Sequence, residues 1–206
     1  MKRFLILSFI ILFLQGCTLF GVRNYELLSY DVLVDEGDFQ IRQYYDYVAA
    51  TTKTEGDYSV NRKVAHDRLF DYISGNNVQN ESIAMTAPVL QKTKGESIEM
   101  TAPVVQKKSE NGWTMSFILP YEYTLEKAPK PLDTAVSIEK FQGKKVAVVT
   151  YNGSLNEESI NSNTDRLIEW ATQKGLSIKY PAYSAGYDPP WTLPWLKRNE
   201  VLVDIN

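Results

Sequence analysis

His66 is the only histidine and Cys17 the only cysteine of the 206-residue chain, so neither a multi-histidine nor a cysteine-rich metal centre can be assembled from it. His66 has chemically useful neighbours, because at about 100° per residue Arg62, Lys63, His66 and Phe70 fall within about a 100° arc of one helix flank. An imidazole can ligate a metal, an aromatic ring can lie against a flat ligand, and two cations can pair with carboxylates. The competing reading is a partly solvated flank on which His66 packs or caps. Catalysis finds little support. There is no Gly-x-Ser-x-Gly elbow, and Asp67 is too near in sequence to orient the ring of His66 as a triad acid would. No Walker loop or Gly-x-Gly-x-x-Gly segment points to a nucleotide. Met85 and Met100 carry thioethers, for which core filling is the expected use.

The elements that must position this flank are legible in the pattern. Residues 32–34 and 39–42 are short apolar-alternating runs around Asp35-Glu36-Gly37-Asp38, which predicts a hairpin. Residues 47–54 read as a third strand. A helix then runs to Ser74, capped by Asp57 or Ser59 and stopped by Gly75-Asn76-Asn77. Ala65, Leu69, Tyr72 and Ile73 form its buried stripe. Residues 82–92 recur as residues 97–107, each copy with Met-Thr-Ala-Pro-Val, and the spacing predicts paired strands around Lys94-Gly95. Prolines in such strands belong at an edge or a bulge. Strands follow at 113–119, 135–139 and 145–151.

A second helix begins at the cap Asn156, carries Glu157 and Glu158 in its first turn, and ends at Lys174-Gly175. Ile160, Thr164, Leu167, Ile168 and Ala171 make its inward stripe. Tyr180-Pro181, Tyr183, Tyr187, Pro189-Pro190-Trp191 and Pro194-Trp195 read as an aromatic approach to the last strand, either rimming a pocket or closing one end as a lid. Residues 200–205 close the fold. Strand, helix and strands thus occur twice, in residues 47–119 and 145–205, which predicts an α+β domain of two similar β-α-β halves.

The N-terminus has its own logic. Lys2 and Arg3 precede an apolar run at residues 4–14 and then Gln15-Gly16-Cys17, the layout of a secretory signal. The run rises only about 16 Å as a helix, against a hydrocarbon core of about 30 Å, so it is too short for a permanent span. Leu14-Gln15-Gly16-Cys17 resembles a bacterial lipobox, which implies a signal peptide at 1–16, diacylglycerol and palmitate-type acylation at Cys17, and a tether at 17–29 before a domain at 30–206. Removing residues 1–16 takes two cations and shifts the formal charge from −3 to −5. That acidic balance argues against nucleic-acid binding. Thr18 is not the aspartate that retains lipoproteins in an inner membrane. The expected location is therefore the bacterial envelope, facing the periplasm from the outer membrane where there are two.

Phe39-Gln40-Ile41-Arg42-Gln43-Tyr44, the doubled Met-Thr-Ala-Pro-Val, Phe117-Ile118-Leu119-Pro120, Gly186-Tyr187-Asp188-Pro189-Pro190 and Arg198-Asn199-Glu200-Val201 together resemble the SOUL haem-binding family, over residues 30–203. The resemblance implies a distorted antiparallel β-barrel with two helices in pseudo-twofold halves. It also implies binding of haem or a related tetrapyrrole, without catalysis. Some family members ligate iron through a histidine at the position of Gln43, and glutamine is a poor iron ligand. The family's other mode is a shallow apolar surface beside the first helix, where Lys63 matches a basic position. On that resemblance His66 would face iron, Phe70 the macrocycle, and Arg62 and Lys63 the propionates. A second reading keeps the fold and the envelope location for a small-molecule sensor or a protein-interaction module.

Overall fold

The structure, a computed structural model, describes residues 26–78, 95–109, 111–189 and 191–206. The signal, Cys17, the first repeat copy with Met85, and Pro190 lie outside those residues. Strands β1 (Tyr30–Glu36) and β2 (Phe39–Tyr44) form the expected hairpin, with Gly37 at φ +69° in its turn, a conformation that suits glycine. β3 (Tyr47–Glu55) leads into α1 (Tyr58–Ile73), which ends at Gly75 with φ +110°. Next come β4 (Asn77–Val78), β5 (Val104–Ser109), β6 (Gly112–Ile118), β7 (Lys130–Pro131), β8 (Val136–Phe141) and β9 (Lys145–Tyr151). The chain closes with α2 (Glu157–Gln173), β10 (Ile178–Gly186), a 3-10 turn (Pro194–Leu196) and β11 (Asn199–Ile205).

Nine strands make one antiparallel sheet in the order β1-β2-β9-β11-β10-β5-β6-β3-β8, and β4 pairs with β7 apart from it. The edge strands β1 and β8 do not pair, so the sheet is an open, distorted barrel. Outward from the β5–β10 seam the order is β5-β6-β3-β8 on one side and β10-β11-β9-β2 on the other. The units β3-α1-β5-β6 and β9-α2-β10-β11 are therefore the two similar halves. Both helices cover the same sheet face, α1 over β3, β6 and β8, and α2 over β9, β10 and β11. Ala65, Leu69, Tyr72 and Ile73 are all buried, as their spacing requires. On α2, Asn156 accepts from the Ser159 N–H at 2.9 Å. Its fully buried positions are Ile160, Asn163, Leu167 and Ala171, with Thr164 and Ile168 half-buried.

Two expectations are corrected. Residues 104–107 of the second repeat copy have no free edge for a repeat partner, because β5 pairs with β6 on one side and with β10 on the other, and the first copy lies outside the described residues. The aromatic approach to the last strand is neither one rim nor one lid: residues 178–186 form the central strand β10, and the register slips between Lys179 and Tyr183 to accommodate Pro181. Tyr183 and Tyr187 are buried, whereas Trp191 and Trp195 are exposed.

On the face away from the helices lies a buried ionic cluster. The Arg42 guanidinium grips Glu200 bidentately at 2.9 and 3.0 Å, with both side chains sealed from solvent. Arg198 donates to the same carboxylate at 3.0 and 2.6 Å, and the Tyr187 hydroxyl donates at 2.7 Å. Arg42 also donates to Gln40 at 2.7 Å and to the Tyr44 hydroxyl at 3.1 Å, and lies 4.3 Å over the Tyr30 ring. Burial alone would raise the Glu200 pKa, but the hydrogen bonds and charges of Arg42 and Arg198 outweigh it and hold the carboxyl below its ordinary value. A depressed acid stabilises the fold above its unfolded pKa and loses that contribution as pH falls through the folded one. Glu200→Ala leaves two guanidiniums facing no charge, so urea unfolding is expected to show a loss of about 3–5 kcal/mol. A loss below about 1 kcal/mol would mean that the cluster is dispensable.

Candidate functional site

The four residues singled out on the first helix all lie on one flank of α1, and the sheet decides what each can do. Leu69, fully buried, and Ala65 anchor the helix over β3 and β6, which turns His66 toward the Phe117 ring of β6. The His66 ring meets Phe117 edge-on, with centroids 5.3 Å apart and planes at 70°. It lies parallel to the ring of Phe70, with planes at 9° and centroids at 6.1 Å. His66 and Phe70 are each a little over 40% exposed, their side chains at 41% and residue at 46% respectively. Together they form an aromatic ledge open to solvent on one side.

The two cations are partly engaged. Lys63 pairs with Asp67 one turn along, with its own side chain 81% exposed. Such an exposed pair is weak and easily exchanged for another anion. Arg62 reaches away from the ledge and donates to the Leu155 carbonyl at 3.2 Å, tying α1 to the β9–α2 connection. The structure thus brings His66 and Phe70 together, leaves Lys63 beside them, and holds Arg62 at the end of the flank. Met100 is exposed rather than packed in the core.

The geometry restricts how a flat ligand can use the ledge. A macrocycle laid on the face of Phe70 is also parallel to the imidazole of His66. The nitrogen lone pairs lie in the imidazole plane and so point along such a macrocycle instead of at its centre. Axial ligation requires His66 to leave both Phe70 and Phe117. A void of about 20 Å³ lies on the other sheet face between Tyr44, Tyr47, Tyr183 and Leu202. That is room for about one water, against roughly 300 Å³ or more for an enclosed ligand. Gln43, at the family's histidine position, donates its amide to the Tyr44 carbonyl at 3.0 Å.

Residues 25–204 match the family model described as SOUL heme-binding protein, and the chain belongs to that haem-binding family. Human heme-binding protein 2 is 29% identical over 168 residues, which cover 79% of this chain and 75% of that protein. A solved structure described as a hydrolase from Listeria innocua is similar at a TM-score of 0.53 and 12% identity, covering 84% of this chain and 94% of that one. The EcmrR C-terminal domain aligns at a TM-score of 0.53 and 9% identity over 86% of this chain and 98% of its own. At these identities the two structures share the fold alone.

Of the sequence motifs that carry the family resemblance, one reaches the ledge, through Phe117 against His66. Arg42, Tyr187, Arg198 and Glu200 meet in the buried ionic cluster on the opposite face, so those motifs report the fold. Burial lowers the pKa of His66 below 6.5, with Arg62 and Lys63 adding to the effect and Asp67 opposing it. The ring is therefore neutral at pH 7. A depressed histidine favours the fold above its unfolded pKa and disfavours it as pH falls below that value. Proton NMR of this single histidine is expected to give a midpoint below 6.5; a midpoint at or above that value would place the ring in solvent, off the ledge.

Proposed function

We propose that the protein is an envelope lipoprotein that holds haem or a related tetrapyrrole on the exposed ledge of α1, weakly and without catalysis. The observation that carries the ligand mode is the parallel setting of His66 and Phe70 at 9°, which suits stacking and turns the imidazole nitrogens away from an iron centre. Family membership supplies the ligand class. Lys63 pairs with a propionate in exchange for Asp67, and apolar contact with Phe70 and the edge of His66 supplies most of the affinity. The anchor reading is supported by the basic residues, short apolar run and Gly16-Cys17 junction at the N-terminus, with Cys17 acylated and residues 1–16 removed. The acidic balance of the processed chain disfavours nucleic acid as a partner.

One observation favours a second reading. Both cations of the flank already have protein partners, in Asp67 and the Leu155 carbonyl, and the ledge is shallow. Such a surface also suits a sensing or interaction module that keeps the fold for another apolar ligand or a protein.

Haemin titration read by Soret absorbance separates the two. The expected outcome is saturable binding in the micromolar range that Phe70→Ala weakens clearly. Lys63→Ala should weaken it by no more than about 1 kcal/mol, an effect that added salt removes. His66→Ala should leave the Soret position unchanged and lower stability by about 1–2 kcal/mol. An absence of saturation would transfer the assignment to the sensing module, and a shifted Soret band in folded His66→Ala would make His66 an axial ligand. For the anchor, Cys17→Ser is expected to move the protein out of the detergent phase on fractionation; unchanged partitioning would refute acylation.

A further inference from the structure

Large apolar side chains stand in solvent at one end of the sheet. Phe117 pairs with Val104, Val104 with Gly186, Gly186 with Asn199, and Asn199 with Tyr151, so a single row crosses β6, β5, β10, β11 and β9. All five strands start or stop at that row or one residue beyond it. The connections that leave there carry exposed Met100 before β5, Tyr121 after β6, and Trp191 and Trp195 between β10 and β11, the three aromatic residues at 88%, 61% and 66% exposure. Exposed Leu27 joins them, because residues 26–28 bind this end: the Leu28 N–H donates to the Ala102 carbonyl and the Ala102 N–H to the Glu26 carbonyl, each at 3.0 Å. A single exposed apolar residue is ordinary, whereas several at one end mark a contact surface. The two tryptophans are held out of the core by a pinned loop. Thr192 between them is buried, the Gly153 N–H donates to the Pro194 carbonyl at 2.9 Å, and the Asn152 amide donates to the Lys197 carbonyl at 2.9 Å.

We infer that this end of the sheet docks on the bilayer surface, with Tyr121, Trp191 and Trp195 seated among the lipid headgroups. The inference rests on the reading of Cys17 as the acylated residue, and it adds the orientation in which the domain is held. The chain that leads back to Cys17 departs from Glu26, at the aromatic end. The nine residues 17–25 reach at most about 30 Å even when fully extended, so the anchor keeps this end close to the membrane. Tryptophan and tyrosine favour the membrane–water interface, where the ring meets acyl chains and its polar edge stays wet. Two carboxylates at this end are already engaged, Glu26 by the Tyr121 N–H at 2.9 Å and Asp188 by the Arg198 N–H at 2.6 Å. Glu122 beside Tyr121 is exposed, so zwitterionic headgroups suit this end better than anionic ones. The contact needs little affinity of its own, because the anchor makes it an intramolecular step.

The test places the protein in phosphatidylcholine vesicles whose acyl chains carry bromine, which quenches tryptophan in contact with the lipid. Two preparations are compared: protein purified from membranes, and the processed chain coupled through Cys17, its only thiol, to a maleimide lipid. A loss of emission with a blue shift is expected in both. Combining Trp191→Ala with Trp195→Ala is expected to remove most of that quenching, since Trp113 and Trp170 pack against Tyr58 and Phe39. Trp191→Phe and Trp195→Phe, each removing part of it, stand in should the double variant not fold. Tyr180→Trp, at an exposed position toward the other end of β10, adds emission that bromine is expected to leave unquenched. If protein from membranes does not float with the vesicles, the acylation reading fails, and the coupled chain still decides the orientation. Unquenched tryptophans in the coupled chain overturn the inference and leave this end to a protein partner or to water. Equal quenching of the ring introduced by Tyr180→Trp overturns it as well, because the domain then has no fixed orientation.

Discussion

Glu200 is the point on which the structure turns. A carboxylate with no exposure to solvent is tolerable only because two guanidiniums and a phenol hydroxyl surround it. The partners come from β2 and from the β10–β11 connection, so the cluster forms only when strands far apart in the chain are in register. Arg42 and Glu200 are separated by 158 residues yet meet across β9, the strand between theirs. Removing Arg42 or Glu200 breaks the ion pair that is sealed from solvent. The cluster therefore fixes the arrangement of the second half of the sheet, on whose other face α2 packs.

That arrangement positions the candidate site indirectly. The pairing of β10 with β5 joins the two halves, and β5 with β6 sets Phe117 under α1. Phe117 in turn holds His66 edge-on and leaves it parallel to Phe70. The same seam that places the ledge brings Gln106 opposite Ser184.

Local periodicity carried much of this into the sequence. The stripe of Ala65, Leu69, Tyr72 and Ile73, the Asn156 cap and the doubled strand-helix-strand order all rest on short-range rules, and all appear in the fold. Long-range pairing was not legible. The repeated segments looked like strand partners because they are alike, but likeness does not create a free edge, and β5 has none. β10 looked like a proline-rich lid because Pro181 interrupts it, and only the bulge there reconciles proline with a central strand. The flank of α1 could be drawn from helical angles alone, whereas the parallel setting of His66 depends on Phe117, 51 positions further along the chain.

The central claim is that the tetrapyrrole is held by stacking on the ledge and not by a bond from His66 to iron. Comparing haemin with metal-free protoporphyrin IX tests it directly, since the two share the flat ring and the propionates and differ in the metal. Titration of the protein with each, followed by quenching of its tryptophan fluorescence, is expected to give dissociation constants within about threefold of one another, less than 1 kcal/mol apart. Haemin binding tighter by about a hundredfold or more would contradict the account and require an iron–protein bond.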